Sequence, residues 1–217
     1  MKIKSFTFNT FQENTYIIYD ETKDSLIIDP GCYTKKEQEM LKEFILTEEL
    51  KPQKLINTHC HIDHILGNKF ISDYWGVELQ MHKADLPLLK NSGNISKMYG
   101  FEDYKGSPQP KHFLTEGDEL SFGKSSFNIL FTPGHSPGHI CLYNKENNML
   151  IAGDLIFQNS IGRTDLPGGN YNTLMESITN KILPLPAETL IFCGHGPSTN
   201  LGDEKKYNPF LCNTHQF

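Results

Sequence analysis

The chain contains 217 residues, of which 37% are hydrophobic and 21% are charged, a composition typical of a globular protein that buries a core. Its net charge of −6 argues against nucleic acid as a partner, because affinity for a phosphate backbone depends mainly on Lys and Arg. No stretch approaches the roughly 20 apolar residues that span a bilayer, and the N-terminus has no features of a secretory signal. We therefore expect a cytoplasmic protein without a membrane or nucleic-acid partner, and its oligomeric state stays open.

The five cysteines are spread along the chain without a C-x-x-C pair. An odd number at wide spacing favours neither a disulfide framework nor a thiolate zinc site, so we expect reduced thiols. Cys141 and Cys193 lie in apolar, strand-like runs, and we interpret them as small core residues.

The first half of the chain alternates short strands with two helices. Apolar residues at Leu41, Phe44 and Ile45 have the period of a helix that is buried on one face. Pro30-Gly31 ends the strand before that helix. The predicted strands are 2–8, 15–19, 25–29, 54–58 and 77–81, and the predicted helices are 34–49 and about 65–75.

Residues 91–110 contain several glycines and prolines together with three aromatic residues. An aromatic-bearing loop of this length is usually a lid or a binding loop, so we predict a loop over the site described below. The runs of strands interrupted by a few helices indicate a layered domain, and no linker divides residues 1–217. The later predicted strands are 119–122, 127–131, 140–143, 149–152 and 189–193, with a helix at 172–183 that Pro184 and Pro186 end.

Polar side chains follow several of these strands at the point where each strand ends. Glycines beside some of them let the backbone turn sharply. Strands that end on one edge of a sheet would direct all these side chains to one point. Four candidate metal ligands crowd into six residues, namely His59, His61, Asp63 and His64, and three more follow later strands, namely His135, Asp154 and His195.

Imidazole together with carboxylate is a ligand set for zinc, iron or manganese. Seven ligands are too many for one tetrahedral ion and suit two ions that share a carboxylate. A single histidine is more often a surface or core residue than a ligand, and we interpret His82, His112 and His215 in that way. Chance is a poor explanation for a packed run followed by three residues at strand ends, so we predict a two-metal site.

This pattern, H-x-H-x-D-H followed by separate His, Asp and His, resembles the metallo-β-lactamase superfamily over nearly the whole chain, as far as Pro209-Phe210-Leu211. The resemblance implies an α+β fold, specifically a four-layer αββα sandwich. It also implies two divalent metal ions, with zinc expected and iron or manganese as alternatives. By motif, His59, His61 and His135 would hold the first ion, Asp63, His64 and His195 the second, and Asp154 would bridge them.

Several branches of that superfamily fit this sequence less well. Secreted β-lactamases commonly have Cys at the position of Asp154, and they carry a signal peptide. Flavodiiron proteins have Glu at the position of His61, and the nucleases usually bring extra nucleic-acid-binding segments. The segments GDLIFQNSIGRTDLPGG (153–169), GHGP (194–197) and NPFL (208–211) resemble the compact single-domain hydrolases related to glyoxalase II.

Arg163 falls near the position where glyoxalase II has a lysine that contacts glutathione. A cation there would bind a substrate carboxylate, and the alternative is a structural ion pair with Asp165. The chain ends soon after His195, so we expect it to lack the C-terminal helical domain that supplies part of the glutathione site in full-length glyoxalase II. Substrate recognition is therefore expected to differ from that of glyoxalase II.

The resemblance implies hydrolysis of a small-molecule thioester such as S-lactoylglutathione. A hydroxide bridging two metal ions, which depress the pKa of water from 15.7 towards about 7, would attack the carbonyl, and Asp63 would orient it as the catalytic residue. The thiolate, with a thiol pKa of about 8.5, leaves without a strong acid, and no G-x-S-x-G elbow supplies a protein nucleophile. One alternative is a mononuclear iron glutathione-persulfide dioxygenase using His59, His135 and Asp154; another is a non-catalytic metal-binding protein.

Overall fold

The computed structural model describes residues 1–212, and the first half of the chain supplies one mixed sheet of six strands. Its first three strands pair antiparallel, and the later ones pair parallel because helices connect them. The strands, which neighbour one another in this order, are β1 (Lys2–Phe8), β2 (Glu13–Tyr19), β3 (Asp24–Ile28), β4 (Lys51–Ile56), β5 (Leu79–Met81) and β6 (His112–Phe113).

The second half supplies another six-stranded sheet. Its strands are β7 (Glu119–Phe122), β8 (Ser125–Phe131), β9 (Ile140–Asn144), β10 (Met149–Gly153), β13 (Leu190–Cys193) and β14 (Thr199–Asn200). They lie in the order β14-β13-β10-β9-β8-β7, with β10 and β13 parallel. A small hairpin of β11 (Ile156–Phe157) and β12 (Ser160–Ile161) follows β10.

Six α-helices accompany the sheets within residues 1–212. The first begins with a reciprocal cap, in which the Thr34 side chain accepts from the Glu37 N–H and the Glu37 side chain accepts from the Thr34 N–H. The helices are α1 (Lys35–Thr47), α2 (Ile62–Ile65), α3 (Asn68–Trp75), α4 (Leu86–Met98), α5 (Tyr171–Ser177), which continues as a π-helical turn at Ile178–Ile182, and α6 (Leu201–Tyr207). None of the helices within these residues is long and apolar enough to cross a membrane.

Three apolar layers separate the helices and sheets. Neighbouring strand residues point to opposite faces, so Ile17 packs outwards against α1 while Ile18 packs between the sheets. The second sheet behaves likewise, with Leu142 between the sheets and Cys141 facing the layer of α5. The order is helices, sheet, sheet, helices, which confirms the predicted four-layer αββα sandwich of the α+β class. Cys193 is buried in the same outer layer as Cys141.

Two predictions about local structure are wrong. Residues 91–98 are not loop, because they belong to α4 (Leu86–Met98), and only the stretch after Met98 is irregular. Pro87 is tolerated there because it occupies the first turn of the helix. The helix expected at about 65–75 starts earlier and is divided into α2 and α3, with Gly67 between them.

Candidate metal centre

All seven predicted ligands lie at one edge of the two sheets. His59 follows β4, and α2 begins directly after His61, so Asp63 and His64 lie in its first turn. His135 follows β8, Asp154 follows β10 and His195 follows β13. The first sheet therefore contributes four of these side chains and the second sheet contributes three.

Three histidines form a compact first triad. His61 Nδ1 lies 2.8 Å from His135 Nε2, and His135 Nε2 lies 3.2 Å from His59 Nε2. His59 and His135 are buried, and His61 is partly buried. Three nitrogens therefore converge on one point, as the ligands of a metal ion do.

A second triad lies beside the first. His195 Nε2 is 3.1 Å from Asp63 Oδ2, and His64 Nε2 is 3.3 Å from His195 Nε2 and 3.6 Å from Asp63 Oδ2. The second triad thus combines two imidazoles with one carboxylate.

Asp154 lies between the two triads. Its Oδ1 is 3.4 Å from His64 Nε2, and its Oδ2 is 3.5 Å from both His135 Nε2 and His195 Nε2. Oδ1 is buried and has no hydrogen-bond partner among the described residues. A buried carboxylate oxygen without such a partner, held between two groups of ligand atoms, is in the position of a bridging ligand.

The arrangement fits metal ions. Two nitrogens bound at about 2.0–2.1 Å to a tetrahedral zinc ion lie roughly 3.3 Å apart, close to the 3.2 Å between His59 and His135 and the 3.3 Å between His64 and His195. Imidazole and carboxylate donors suit divalent ions such as zinc, iron and manganese.

The second ring nitrogen of each buried histidine has its own partner. His64 Nδ1 contacts Asp29 Oδ2 at 3.1 Å, and His59 Nδ1 contacts Thr58 Oγ1 at 3.1 Å. His135 Nδ1 lies 2.8 Å from the backbone oxygen of Arg163, and His195 Nδ1 lies 3.0 Å from the backbone oxygen of Phe11. Partners of this kind fix the tautomer and the ring orientation of metal-binding histidines.

Charge differs between the two triads. Burial and the neighbouring imidazoles lower the pKa of His59 well below the ordinary value and that of His61 to about 3. Burial would also lower the pKa of His64, but the carboxylates of Asp154 and Asp63 outweigh it and raise that pKa well above the ordinary value. The same carboxylates raise the pKa of His195 against the effect of burial.

The two carboxylates respond in the opposite direction. Burial would raise the pKa of Asp63 and of Asp154, but the positive charge that His64 and His195 can carry lowers both. Both side chains are therefore ionised, as metal ligands must be.

Two glycines allow close packing around Asp154. Gly153 has φ 49°, and a Cβ there would lie 2.7 Å from His139 Nε2. A Cβ at Gly194 would collide with Asp154 Oδ1. Glycine at both positions lets β10 and β13 end close to the carboxylate.

Sequence reasoning missed Asp29. Its Oδ1 accepts from the Thr58 N–H at 2.7 Å, and its Oδ2 accepts from Thr58 Oγ1 and faces His64 Nδ1. The backbone at Asp29 has φ 48°, a conformation that is uncommon outside glycine and often marks a functional position. The carboxylate lies behind His64, on the side away from Asp63 and Asp154, and so supports a ligand.

His139 and Asp85 were also missed. The Asp154 N–H donates to His139 Nε2 at 3.1 Å, and burial keeps the pKa of His139 well below the ordinary value, so this nitrogen remains an acceptor. Asp85, in a 3-10 turn at Lys83–Asp85, accepts from the Cys60 N–H at 2.8 Å and from Ser136 Oγ at 2.9 Å. It therefore ties the loop of His59 to the loop of His135. A second Gly-His pair at 138–139 was an available signal for His139.

The start of β2 holds the loop of His195. The Asn14 N–H donates to Gly194 O at 2.7 Å, and Asn14 Nδ2 donates to Gly196 O at 2.7 Å and Cys193 O at 3.1 Å. A strand of the first sheet thus positions the last ligand of the second.

A cavity of about 640 Å³ opens onto both triads. His61, Asp63, Asp154 and His195 line its polar part, and α4 covers one side. Arg163 also lines it, and its guanidinium forms a two-pronged ion pair with Asp165, with Nε–Oδ1 at 2.7 Å and Nη2–Oδ2 at 2.6 Å.

Two of the histidines interpreted as non-ligands, His82 and His112, lie outside these groups. His82 stacks on Phe131 with ring centroids 4.1 Å apart, and its Nδ1 accepts from the Ala84 N–H. His112 is exposed and lies 3.6 Å from Glu78. His215 lies outside the described residues.

A family model for the metallo-beta-lactamase superfamily matches residues 8–195. Hydroxyacylglutathione hydrolase GloC from Haemophilus influenzae is 36% identical over 212 residues, with 97% of this chain and 98% of the relative covered. The chain therefore belongs to the metallo-beta-lactamase superfamily and is a metallo-hydrolase of that superfamily.

Two solved structures are similar to the whole chain. The crystal structure of BLEG-1 B3 metallo-beta-lactamase has a TM-score of 0.89 at 36% identity and covers 97% of this chain and 99% of that chain. TTHA1623 in a di-iron-bound form has a TM-score of 0.86 at 36% identity and covers 96% of this chain and 100% of that chain. TTHA1623 holds iron, so similarity of fold does not identify zinc as the metal of this chain.

Proposed function

We propose that this protein is a binuclear metallohydrolase that cleaves small-molecule thioesters, such as S-lactoylglutathione. The observation that carries the proposal is the placement of Asp154 between two complete triads, 3.4 Å from His64 Nε2 and 3.5 Å from His135 Nε2. A site for a single ion would not need donors on both sides of one carboxylate.

In this proposal the first triad and the second triad each hold one divalent ion, with zinc as the expected metal, and Asp154 bridges them. Two such ions would supply a hydroxide nucleophile at neutral pH and would polarise the substrate carbonyl. The orientation of the attacking water depends on the residues of the chain.

Asp63 orients the attacking water. Its low pKa keeps the carboxylate ionised, so it accepts a hydrogen bond from that water. Its Oδ2 is 3.1 Å from His195 Nε2, which fixes the direction of the carboxylate. Departure of a thiolate needs no strong acid at neutral pH, because a free thiol has a pKa of about 8.5.

The thiol of Cys60 is unsuited to act as a nucleophile, although it lines the cavity. Burial raises the pKa of Cys60 well above the ordinary value, and a thiol without thiolate character is inert. Its sulfur lies 3.5 Å from Met81 Sδ. Direct attack by water is therefore the favoured route.

Similarity to the hydroxyacylglutathione hydrolase GloC supports a thioester over other substrates. The alternative function, an iron-dependent persulfide dioxygenase, must also be tested, because His59, His135 and Asp154 form a set of two imidazoles and one carboxylate. His135 Nε2 lies 3.2 Å from His59 Nε2 and 3.5 Å from Asp154 Oδ2. Similarity to BLEG-1 B3 metallo-beta-lactamase adds a β-lactam substrate to the test.

The experiment measures metal ions per chain together with three activities of the same preparation. These are hydrolysis of S-lactoylglutathione, oxygen uptake with glutathione persulfide, and hydrolysis of a chromogenic cephalosporin. We expect two ions and thioester hydrolysis as the fastest activity. One iron per chain with oxygen uptake and no hydrolysis, or faster turnover of the cephalosporin than of the thioester, would refute the proposal.

A further inference from the structure

One face of α4 forms an apolar wall of the cavity. Leu88, Ile95 and Met98 lie on this face, seven and three residues apart along the helix, and line the cavity with Asn91 and Ser92. Met98 is 78% exposed. Exposed apolar surface bordering a polar centre marks a ligand-binding region.

The opposite wall is apolar as well. Phe157, Ile161, Leu166 and Pro167 line it. Phe11 lines the cavity too, and its ring meets Tyr99 edge to face with centroids 5.3 Å apart. The cavity is thus an apolar channel with the metal ligands at its floor.

Few charged side chains line the cavity. Among the cavity-lining residues within 1–212, Arg163 is the one Lys or Arg side chain, and Asp165 already pairs with it through two contacts. Glutathione carries two carboxylates at neutral pH, and sites for such groups generally offer cations to them. The paired guanidinium and the net charge of −6 do not favour that anion.

We propose, resting on the proposed thioester hydrolysis, that the substrate class is thioesters with an apolar, uncharged acyl group, held between α4 and the wall at Phe157. The thiol part needs no glutathione carboxylates for recognition. In the reaction, water adds its oxygen to the acyl carbon and the C–S bond breaks. The products are the carboxylate, the free thiol and one proton, which is released to the solvent.

The first experiment compares thioesters that differ in one part at a time. Hexanoyl and acetyl groups are carried by the same uncharged thiol, N-acetylcysteamine, and hexanoyl is also carried by glutathione. We expect kcat/KM to be at least tenfold higher for hexanoyl than for acetyl, because buried methylene groups add apolar contact. We expect hexanoyl-N-acetylcysteamine to be at least as good a substrate as hexanoylglutathione. A smaller acyl ratio, or a preference for the glutathione ester, would overturn the inference.

A pair of helix variants tests the wall at α4. Met98→Glu puts a carboxylate into the channel, and Lys97→Glu puts the same group on the neighbouring exposed position, which does not line it. The holoenzyme is titrated with S-hexyl-N-acetylcysteamine, a thioether that cannot be hydrolysed, as a competitive inhibitor. We expect the inhibition constant to rise about tenfold in Met98→Glu and to change less than twofold in Lys97→Glu. Equal effects of the two variants would contradict the inference.

A second pair tests the role of charge. Asp165→Asn releases Arg163, so we expect kcat/KM for hexanoylglutathione to rise about fivefold while the uncharged thioester is unaffected. Glu21→Gln removes an acid that pairs with Lys124, away from the cavity, and serves as the control. An equal change for both thioesters in Asp165→Asn would show that the ion pair does not set selectivity.

The two proposals fail in different ways. If the holoenzyme hydrolyses no thioester at all, the proposed function is wrong. If it hydrolyses glutathione thioesters in preference, the proposed function holds and the inference about apolar substrates is wrong.

Discussion

The two triads of the metal centre share Asp154 but differ in their charge. The first consists of imidazoles, and burial lowers the pKa of His59 and His61, so these rings are neutral and free to donate lone pairs. The second contains Asp63, and carboxylates raise the pKa of His64 and His195. A cation entering the second triad must therefore displace protons, whereas His59 and His61 have none to lose. We therefore expect the two triads to differ in how strongly protons compete with a metal ion, although they are built from nearly the same residue types.

The strongest test removes what the triads share. Asp154→Asn keeps the size of the side chain but removes the bridging charge, so we expect both ions to be held more weakly. The expected fall in kcat/KM is about 10³-fold or more, corresponding to the several kcal/mol of transition-state stabilisation that metal ions supply. Metal content and thioester turnover are measured together. Asp73→Asn, which removes an exposed acid paired with Lys69, should change neither.

Removing one ligand from each triad separates them. His135→Ala should leave one ion per chain in the second triad, and His195→Ala should leave one in the first. Both should lose at least about 10²-fold in kcat/KM, because a two-metal reaction needs both ions. His82→Ala, which removes a ring stacked on Phe131, should keep two ions and its activity. Two ions retained in His135→Ala would show that the first triad is assigned wrongly.

Asp29→Asn tests the support behind the second triad. An amide cannot accept from both the Thr58 N–H and Oγ1 while facing His64 Nδ1 as the carboxylate does. We expect metal affinity in the second triad to fall about 10–100-fold, with a smaller effect on the first. The metal affinities of the two triads are measured by competition with a chelator. Asp20→Asn is the matched control, since Asp20 is also a buried carboxylate that accepts hydrogen bonds, from Thr22 and the Lys124 N–H. Equal loss in both triads would contradict this asymmetry.

Acidification should reveal the same difference without a mutation. Because the pKa of His64 and of His195 is raised, protons compete for the second triad at a higher pH than for an ordinary histidine, whose pKa is about 6.5. The pKa of His61 in the first triad is about 3, so protons compete for this ligand only at much lower pH. We expect the second ion to dissociate first as the pH falls from 8 to 5, measured as ions per chain after dialysis. Simultaneous loss of both ions would refute the difference.

The sequence predicted the layered fold and the clustering of the seven side chains for one physical reason. The polar residue that follows the end of an apolar strand lies at the edge of the sheet. His135, Asp154 and His195 could be recognised in the sequence because they follow β8, β10 and β13 in this way. Their roles as ligands stay a prediction, as does the substrate contact of Arg163.

The supporting residues could not be found in the same way. Asp85 acts by joining Cys60 to Ser136, and no local pattern records a contact that spans so much of the chain. Asp29 was the last residue of the predicted strand 25–29, which Pro30-Gly31 ends, and nothing in that pattern marks it as a partner of His64. The helix α4 was missed because Gly93 and the polar residues around it resemble a loop, while its apolar face packs on the core and lines the cavity.

The hydrogen bonds between Asn14 and the loop of His195 have a consequence for the order in which the protein folds during its synthesis. His59 and His135 are separated by 76 residues, and His64 and His195 by 131. On the ribosome, the first triad has all its members once residue 135 has emerged, whereas the second waits for β13 to dock against a strand synthesised among the first twenty residues. The order of the chain is therefore an order of assembly, because the second triad is complete only when the last part of the sandwich has closed.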